Sequence, residues 1–347
     1  MKTFSLGNDL ILESGEVLAS PEIAYHTYGS LNADKSNVVW VCHAFTANSD
    51  VLTWWNGLFG KDCLFDPNHH FIVCANILGS CYGTTGPLSI NPQTGTPYFS
   101  TFPMLTIRDL VAAHILLKKH LEIESIQFLV GGSLGGQQAL EWAILEPEVV
   151  ENLILVATNA RHSPWGIAFN EAQRMAIFAD SEYGNEKPTA ALNGMKAARA
   201  IALLSYRNYQ TYLLTQNDEE ERDLLLPKAA SYQRYQGDKL ALRFNAYSYV
   251  VLSKAMDSHD VARNRVSVQE ALLAVKAKTL VISVSSDLLF PPDEQKIIAL
   301  QIPNSVHATI NSIYGHDGFL IETNALTKTI VDFQLYNYQT KKWKQIN

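Results

Sequence analysis

The sequence predicts an α/β fold, in which helices cover both faces of a mostly parallel sheet and a helical segment interrupts the alternation. Continuous apolar runs, typical of strands buried on both faces, alternate with patterns of helical spacing. The alternation stops near residue 160, and only helical patterns follow until a strand pattern returns at residue 279. We therefore predict an α/β core from residues 1–160 and 265–347, with a helical lid of residues 161–264, here called the insert.

The individual elements follow from the spacing of apolar residues. Residues 4–30 alternate apolar and polar side chains, which predicts two or three antiparallel strands. Buried strands are predicted at residues 38–43, 71–76, 126–130, 153–158, 279–284 and 305–310. Helices are predicted at residues 106–120, 134–145, 197–212, 244–256 and 320–336, and after Pro292. The charged run 218–223 is predicted to be a solvated helix or loop.

Composition and charge narrow the class of protein. The chain has 347 residues, a net charge of −7 and no basic stripe, so neither nucleic acid nor a membrane surface is an expected partner. Residues 1–6 lack the apolar core of a signal peptide, and no apolar run has the length of a membrane span, so a cytoplasmic location is expected. Cys42, Cys63, Cys74 and Cys81 are expected to be free thiols. His69-His70 is more typical of a turn than of a metal site, and no metal or bound cofactor is expected.

A serine between glycines stands where the run 126–130 meets the helix 134–145. Ser133 has glycines two residues away on each side, Gly131 and Gly135. A side chain at the apex of a sharp strand-to-helix turn requires a strained backbone, and glycine neighbours leave room for it. The helix N-terminus also directs free N–H groups towards an anion that forms there. The pattern predicts that Ser133 is a nucleophile, with a glycine-rich turn or a phosphate loop as the alternative.

A nucleophilic hydroxyl needs a base, and the base needs an orienting carboxylate. Asp287 ends the predicted strand 279–284, and His316 follows the last predicted strand. The chain order Ser, Asp, His at the ends of successive strands is that of the α/β-hydrolase fold. Taken alone, Asp287 is also a candidate cap for the helix near Pro291, and His316 a structural helix-start histidine. Together with Ser133 they predict a catalytic triad on this fold.

The developing charge on an attacked carbonyl needs two N–H donors. Leu134 follows the nucleophile directly, and its N–H is the first expected donor. The loop after the strand 38–43 is expected to supply the second, from the N–H of Phe45. The Thr46 hydroxyl is expected to line the pocket, whereas His43 is more typical of a structural residue than of the base.

Several stretches of the sequence resemble the homoserine O-acetyltransferase family. One is Asn-Ile-Leu-Gly-Ser-Cys-Tyr-Gly-Thr-Thr-Gly-Pro at residues 76–87, with Ser-Ile-Asn-Pro at 89–92. Another is Gly-Gly-Ser-Leu-Gly-Gly-Gln-Gln-Ala-Leu-Glu-Trp at 131–142. Further matching segments lie at residues 102–103, 106–109, 198–199, 205–206, 243–249, 256–260, 287–292 and 315–317. The resemblance therefore spans nearly the whole chain.

This resemblance implies a ping-pong acyltransferase of methionine biosynthesis. Ser133 would take an acetyl group from acetyl-CoA, the co-substrate, and pass it to the side-chain hydroxyl of L-homoserine. By the same resemblance, Arg199 would bind the substrate carboxylate with Tyr206 beside it, and Asp317 would hold the amino group. This assignment suits a zwitterion, which needs one cation and one anion. The resemblance also implies a homodimer that packs through the helices of the insert.

The acyl donor and the acceptor stay open at this point. The sequence departs from the family pattern in the segment 180–187, at Ala47 and at Ser80. Acyltransferases that use succinyl-CoA or accept L-serine share the same motifs. A hydrolase of esters or thioesters would use the same triad. The insert and the pair Arg199 and Asp317 favour transfer to an amino acid.

Overall fold

The computed structural model describes residues 1–218 and 225–335. Ten strands occur there: β1 (Lys2–Ser5), β2 (Leu10–Ile11), β3 (Val17–Leu18), β4 (Glu22–Tyr28), β5 (Val38–Cys42), β6 (Phe71–Ala75), β7 (Ile126–Gly132), β8 (Val150–Val156), β9 (Lys278–Val284) and β10 (Ser305–Ile310). Eight of them form one sheet in the order β1-β4-β6-β5-β7-β8-β9-β10. The pairs β1–β4 and β4–β6 are antiparallel, and the pairs from β6 to β10 are parallel. The structure thus confirms the predicted mostly parallel sheet.

The helices account for most of the remaining regular structure. They are α1 (Val51–Trp54), α2 (Ile107–His120), α3 (Leu134–Leu145), α4 (Pro164–Phe178), α5 (Leu192–Tyr206), α6 (Tyr209–Thr215), α7 (Lys228–Ala241), α8 (Ala246–Asp257), α9 (Val268–Leu273), α10 (Pro292–Gln301), α11 (Gly318–Ile321) and α12 (Thr323–Leu335). Short 3₁₀ turns lie at Phe99–Thr101 and Gly315–Asp317. None of the helices in the described ranges is long and apolar enough to cross a membrane.

The sheet is buried on both faces, which explains the continuous apolar runs. All five residues of β5 are buried. On one face Trp40 meets Trp142 of α3, with ring centroids 5.0 Å apart. On the other face Val39 and Val41 belong to a second apolar cluster that includes Phe319. Because these strands are parallel, their carboxyl ends lie at one edge of the sheet, where α/β sheets bind their ligands.

Local signals place the helices that flank the sheet. Thr106 and Asp109 form a capping box at the start of α2: the Asp109 carboxylate accepts from the Thr106 N–H at 2.8 Å, and the Thr106 hydroxyl accepts from the Asp109 N–H at 3.3 Å. The helix α3 begins at Leu134 and ends at Leu145, as predicted. Between β8 and β9 lie α4 to α9, of which α4 to α8 fall within residues 161–264, and α4 packs closely against α5.

The structure corrects several predicted elements. The predicted helix 197–212 is broken, because α5 ends at Tyr206 and Asn208 caps α6 by accepting from the Thr211 N–H at 2.9 Å. Four strands form before residue 30 rather than two or three, since β2 and β3 make a separate ribbon. The predicted closing helix divides into α11 and α12, and residue 336 lies outside the described residues. Of the charged run 218–223, residues 219–223 also lie outside them.

Candidate active site

Ser133 occupies a strained turn between β7 and α3. Its φ of 58° and ψ of −128° lie in a region that residues other than glycine rarely adopt. A Cβ atom on Gly135 would lie 2.0 Å from the carbonyl oxygen of Cys42, and one on Gly131 would lie 2.2 Å from that of Gly135. The two glycines are therefore required by close backbone contacts around the serine. This geometry fits a nucleophile elbow.

Asp287 and His316 meet at the carboxyl ends of β9 and β10. The Asp287 carboxylate accepts from His316 Nδ1 through Oδ2, at 2.7 Å. Its other oxygen accepts from the backbone N–H groups of Leu289 and Phe290, at 2.8 and 2.9 Å. The aspartate thus holds one imidazole tautomer and leaves Nε2 free to take a proton. The alternative role of Asp287 as a helix cap is wrong, because Pro291 stands at the start of α10 without a side-chain cap and Asp287 bonds the turn before it.

Packing joins the histidine to the elbow. The His316 ring stacks on Phe290, with centroids 5.1 Å apart, and meets Phe319 edge-on at 5.3 Å. Phe319 also lies against the elbow, because a Cβ on Gly132 would come within 2.7 Å of its ring. Ser133 and His316 are each at least 95% buried, at relative exposures of 5% and 3%. Phe319 therefore contacts both the elbow and His316, and Ser133 and His316 are enclosed at the same edge of the sheet.

The loop after β5 offers backbone donors beside the elbow. Residues 44–47 form a turn in which the Ala47 N–H donates to the Ala44 carbonyl at 3.0 Å. The N–H groups of Phe45 and Thr46, inside that turn, donate to no residue in the described part of the chain. The Leu134 N–H opens α3 and has no intrahelical acceptor. The donors predicted at Leu134 and Phe45 are both available for an oxyanion.

His43 is a structural residue of this loop. Its Nδ1 bonds the Ala44 carbonyl at 2.8 Å, and its Nε2 accepts from the Ile77 N–H at 3.2 Å. Burial lowers the pKa of His43 to about 4. His114 is also enclosed, and burial lowers its pKa to about 4. Neither is placed to serve Ser133 as a base.

Arg199 and Tyr206, from α5, adjoin the histidine. The Arg199 guanidinium carbon lies 5.2 Å from the centroid of the Tyr206 ring, and that ring lies 5.8 Å from the His316 ring. Burial raises the pKa of Tyr206 to about 12, although the charge of Arg199 opposes the rise. Arg199 has no ion pair or hydrogen bond with any residue that the structure describes. Its donors are therefore available to an anionic ligand.

Arg207 is a neighbour of the site that the sequence reasoning missed. Its Nε lies 3.1 Å from Oδ2 of Asp317, the residue expected to hold a substrate amino group. The end of α5 also packs on the histidine loop, since a Cβ on Gly315 would lie 2.9 Å from the Tyr206 carbonyl oxygen. The sequence signal for the break between α5 and α6 at this point is Asn208, the residue that caps α6.

Comparisons with known proteins agree with this geometry. The family model described as alpha/beta hydrolase fold matches residues 37–322. A homoserine O-acetyltransferase from Cyclobacterium marinum is 51% identical over 94% of this chain and 93% of its own length. The chain belongs to the homoserine O-acetyltransferase family. The sequence resemblance is thereby confirmed, and with it the assignment to an acyltransferase family on the α/β-hydrolase fold.

Solved structures extend the family likeness to hydrolases. A homoserine O-acetyltransferase from Bacillus anthracis has a TM-score of 0.87 and 27% identity, covering 97% of each chain. An acetylester hydrolase from Corynebacterium glutamicum has a TM-score of 0.86 and 25% identity, covering 96% of this chain and 95% of its own. Transferases and hydrolases therefore share this whole architecture, and specific residues must separate them.

Proposed function

We propose that this protein transfers an acetyl group from acetyl-CoA to the hydroxyl of L-homoserine, by a ping-pong mechanism, in methionine biosynthesis. The observation that carries the proposal is the guanidinium of Arg199, which pairs with no described residue and stacks on Tyr206, beside His316. A cation there suits an acceptor that carries a carboxylate. Family membership supports the same acceptor, because the relative from Cyclobacterium marinum is named a homoserine O-acetyltransferase.

In the first half-reaction Ser133 attacks the thioester carbonyl. His316 Nε2 takes the hydroxyl proton, while Asp287 holds the imidazole and stabilises its charged form. The N–H groups of Leu134 and Phe45 stabilise the oxyanion of the tetrahedral intermediate. The C–S bond then breaks, the thiol of CoA leaves with the proton from His316, and the acetyl group stays on the Ser133 oxygen.

In the second half-reaction homoserine replaces CoA. Arg199 binds its carboxylate, Asp317 its ammonium group, and Tyr206 and Thr46 line the space between. The homoserine hydroxyl gives its proton to His316 and attacks the acetyl carbonyl, and the proton returns to the oxygen of Ser133 as the ester is released. One carboxylate oxygen of Asp317 pairs with Arg207, and no described residue bonds the other oxygen of Asp317.

Hydrolysis is the second candidate function. It is favoured by the likeness to the acetylester hydrolase from Corynebacterium glutamicum. Water needs neither a carboxylate site nor an ammonium site, so Arg199 and Asp317 would have no role in hydrolysis. Succinyl-CoA and L-serine remain the alternative donor and acceptor within the transferase class.

The assembly and location are part of the proposal. Large apolar side chains are exposed on the helices of the insert; they include Trp165, Met175, Leu204, Tyr209, Leu213, Tyr235 and Leu242. Their number supports a homodimer that packs through these helices. The four cysteines are free thiols, which supports a reducing cytoplasm. We propose no resident cofactor or metal, with acetyl-CoA as a co-substrate only.

Release of CoA tests the proposed function. With acetyl-CoA present, the rate is expected to rise with L-homoserine and to saturate, because homoserine must occupy a defined site. Succinyl-CoA and L-serine are tested in parallel as the alternative donor and acceptor. CoA release that is independent of homoserine would identify a hydrolase and contradict the proposal.

A further inference from the structure

Arg243 connects the insert to the loop that offers the oxyanion donors. It lies between α7 and α8, and its guanidinium reaches the core. Nη1 donates to the carbonyl oxygen of Thr46 at 2.6 Å and to the hydroxyl of Tyr82 at 2.5 Å. These are charge-assisted hydrogen bonds, which are stronger than those between neutral groups.

The turn at residues 44–47 is held from two sides. On the core side His43 bonds the Ala44 carbonyl, and the Ala47 N–H donates to the same oxygen. On the insert side Arg243 bonds the Thr46 carbonyl, and Tyr249 of α8 packs edge-on against the Phe45 ring at 4.7 Å. The direction of the Phe45 N–H thus depends on residues of the insert as well as on the core.

Tyr82 gives the guanidinium a rigid second anchor. The backbone carbonyl of Tyr82 accepts from Asn76 Nδ2 at 2.7 Å. The same Asn76 side chain donates to the Ser49 hydroxyl at 2.8 Å and accepts from the Ser49 N–H at 2.7 Å. Arg243 therefore closes a ring of contacts that begins at Thr46 and returns to Ser49, three residues further along the same loop.

We propose that Arg243 is a positioning residue, which sets the Phe45 N–H for the oxyanion through its bond to the Thr46 carbonyl. The inference rests on the proposed acyl chemistry, but not on the identity of the acceptor. Both half-reactions pass through an oxyanion, so both depend on the same donor. Loss of a whole donor costs on the order of 10²–10³ in kcat. A displaced donor is expected to cost about 10- to 100-fold.

The competing role for Arg243 is a direct contact with the acyl donor, acetyl-CoA. An exposed guanidinium suits the phosphate groups of CoA. That role would change the KM for acetyl-CoA and would leave p-nitrophenyl acetate unaffected, because this ester has no phosphate. A positioning role would lower kcat with both donors and change neither KM by much. The two donors therefore separate the two roles.

The test uses Arg243→Met, Arg243→Lys and the control Arg234→Gln. Arg234 is exposed on α7 and forms no ion pair or hydrogen bond with the described residues, so its loss removes the same charge from the insert. We expect Arg243→Met to lower kcat about 10- to 100-fold with both donors, and Arg243→Lys to recover part of it. The control is expected to keep the wild-type kcat. An unchanged kcat, or a raised KM for acetyl-CoA alone, overturns the proposal.

Tyr82→Phe keeps the test decisive if Arg243→Met fails to fold. This variant removes one hydroxyl and leaves the backbone contacts of Tyr82 in place. It is expected to lower kcat by a smaller factor, about 3- to 10-fold, because Arg243 keeps its hydrogen bond to the Thr46 carbonyl. A wild-type kcat in both Tyr82→Phe and Arg243→Lys contradicts the proposal. Failure of the proposed acyl chemistry is distinct, because the wild-type protein would then take acetyl from neither donor.

Discussion

The two halves of the site are held by different means. In the core, Ser133 has its φ of 58° imposed by backbone contacts at Gly131 and Gly135, and Asp287 is fixed by two backbone N–H groups. In the insert, Arg199 and Tyr206 are half-buried and are held by ring contacts. In the proposed mechanism the rigid core performs the attack on the acyl group, and the side chains of the insert select the acceptor.

The halves are nevertheless joined beside His316. Gly315 has a φ of 61° and admits the carbonyl of Tyr206 where a Cβ would collide. Arg207 pairs with Asp317, and the Thr211 hydroxyl donates to the Ile313 carbonyl. The insert therefore contacts the histidine loop at residues 313, 315 and 317, in addition to its contact through Arg243 with the loop that follows β5.

The largest expected effect comes from Ser133, the proposed nucleophile of the core. Ser133→Ala keeps the Cβ and the elbow but removes the attacking oxygen, so CoA release should fall on the order of 10⁴-fold or more. Steady-state CoA release measures the loss. Thermal unfolding is the control, because the variant should melt close to the wild-type protein. Residual turnover above about 1% of the wild-type rate would exclude Ser133 as the nucleophile.

Glycine substitutions compare the rigidity of the two halves. Gly135→Ala places a Cβ 2.0 Å from a backbone oxygen and should destabilise the fold by several kcal/mol, about 3 or more, with loss of activity. Gly237→Ala, in α7 of the insert, places a Cβ 3.0 to 3.2 Å from Lys196 atoms, a tight contact that a small shift between helices relieves, and the alanine gains helix propensity. Its effect should stay below about 1 kcal/mol. Urea unfolding measures both, and equal destabilisation would contradict the difference between the halves.

Arg199 separates acyl-enzyme formation from acceptor use. Arg199→Gln removes the cation, so kcat/KM for homoserine should fall about 10- to 100-fold, the cost of a lost charged hydrogen-bond pair. The rate at which acetyl-CoA acylates the protein should change less than about twofold, since the core performs that step. Rapid-quench measurement of each half-reaction checks both. Equal losses in the two steps would remove Arg199 from the acceptor site.

The core is also expected to show a pH dependence of stability through His114. Burial lowers the pKa of His114 to about 4, so between pH 6.5 and 4 the unfolded chain binds a proton that the folded chain does not. Stability therefore falls as the pH falls through this window, by at most about 1.4 kcal/mol per pH unit for this group. His114→Gln should lose part of that slope. Melting temperatures at pH 7 and pH 5 measure it, and an unchanged slope would contradict a neutral buried His114.

The sequence predicts the core better than the insert, for a physical reason. Ser133 and the helix that follows depend on local sterics, which Gly131 and Gly135 reveal. The contact of Arg243 with Thr46 joins segments almost 200 residues apart, and no local pattern encodes it. Arg207 lies between these cases, because the adjacent Asn208 cap is a local signal whereas the pairing with Asp317 joins distant segments.

We infer that the core forms an acetyl-enzyme and that the side chains of the insert bind the homoserine that receives the acetyl group. The most direct test is the intact mass of the protein after exposure to acetyl-CoA, followed by a chase with L-homoserine. The account predicts a gain of one acetyl group on Ser133, none in Ser133→Ala, and removal by homoserine much faster than by buffer alone. An acetyl group on another residue, or loss at the same rate with and without homoserine, would contradict it.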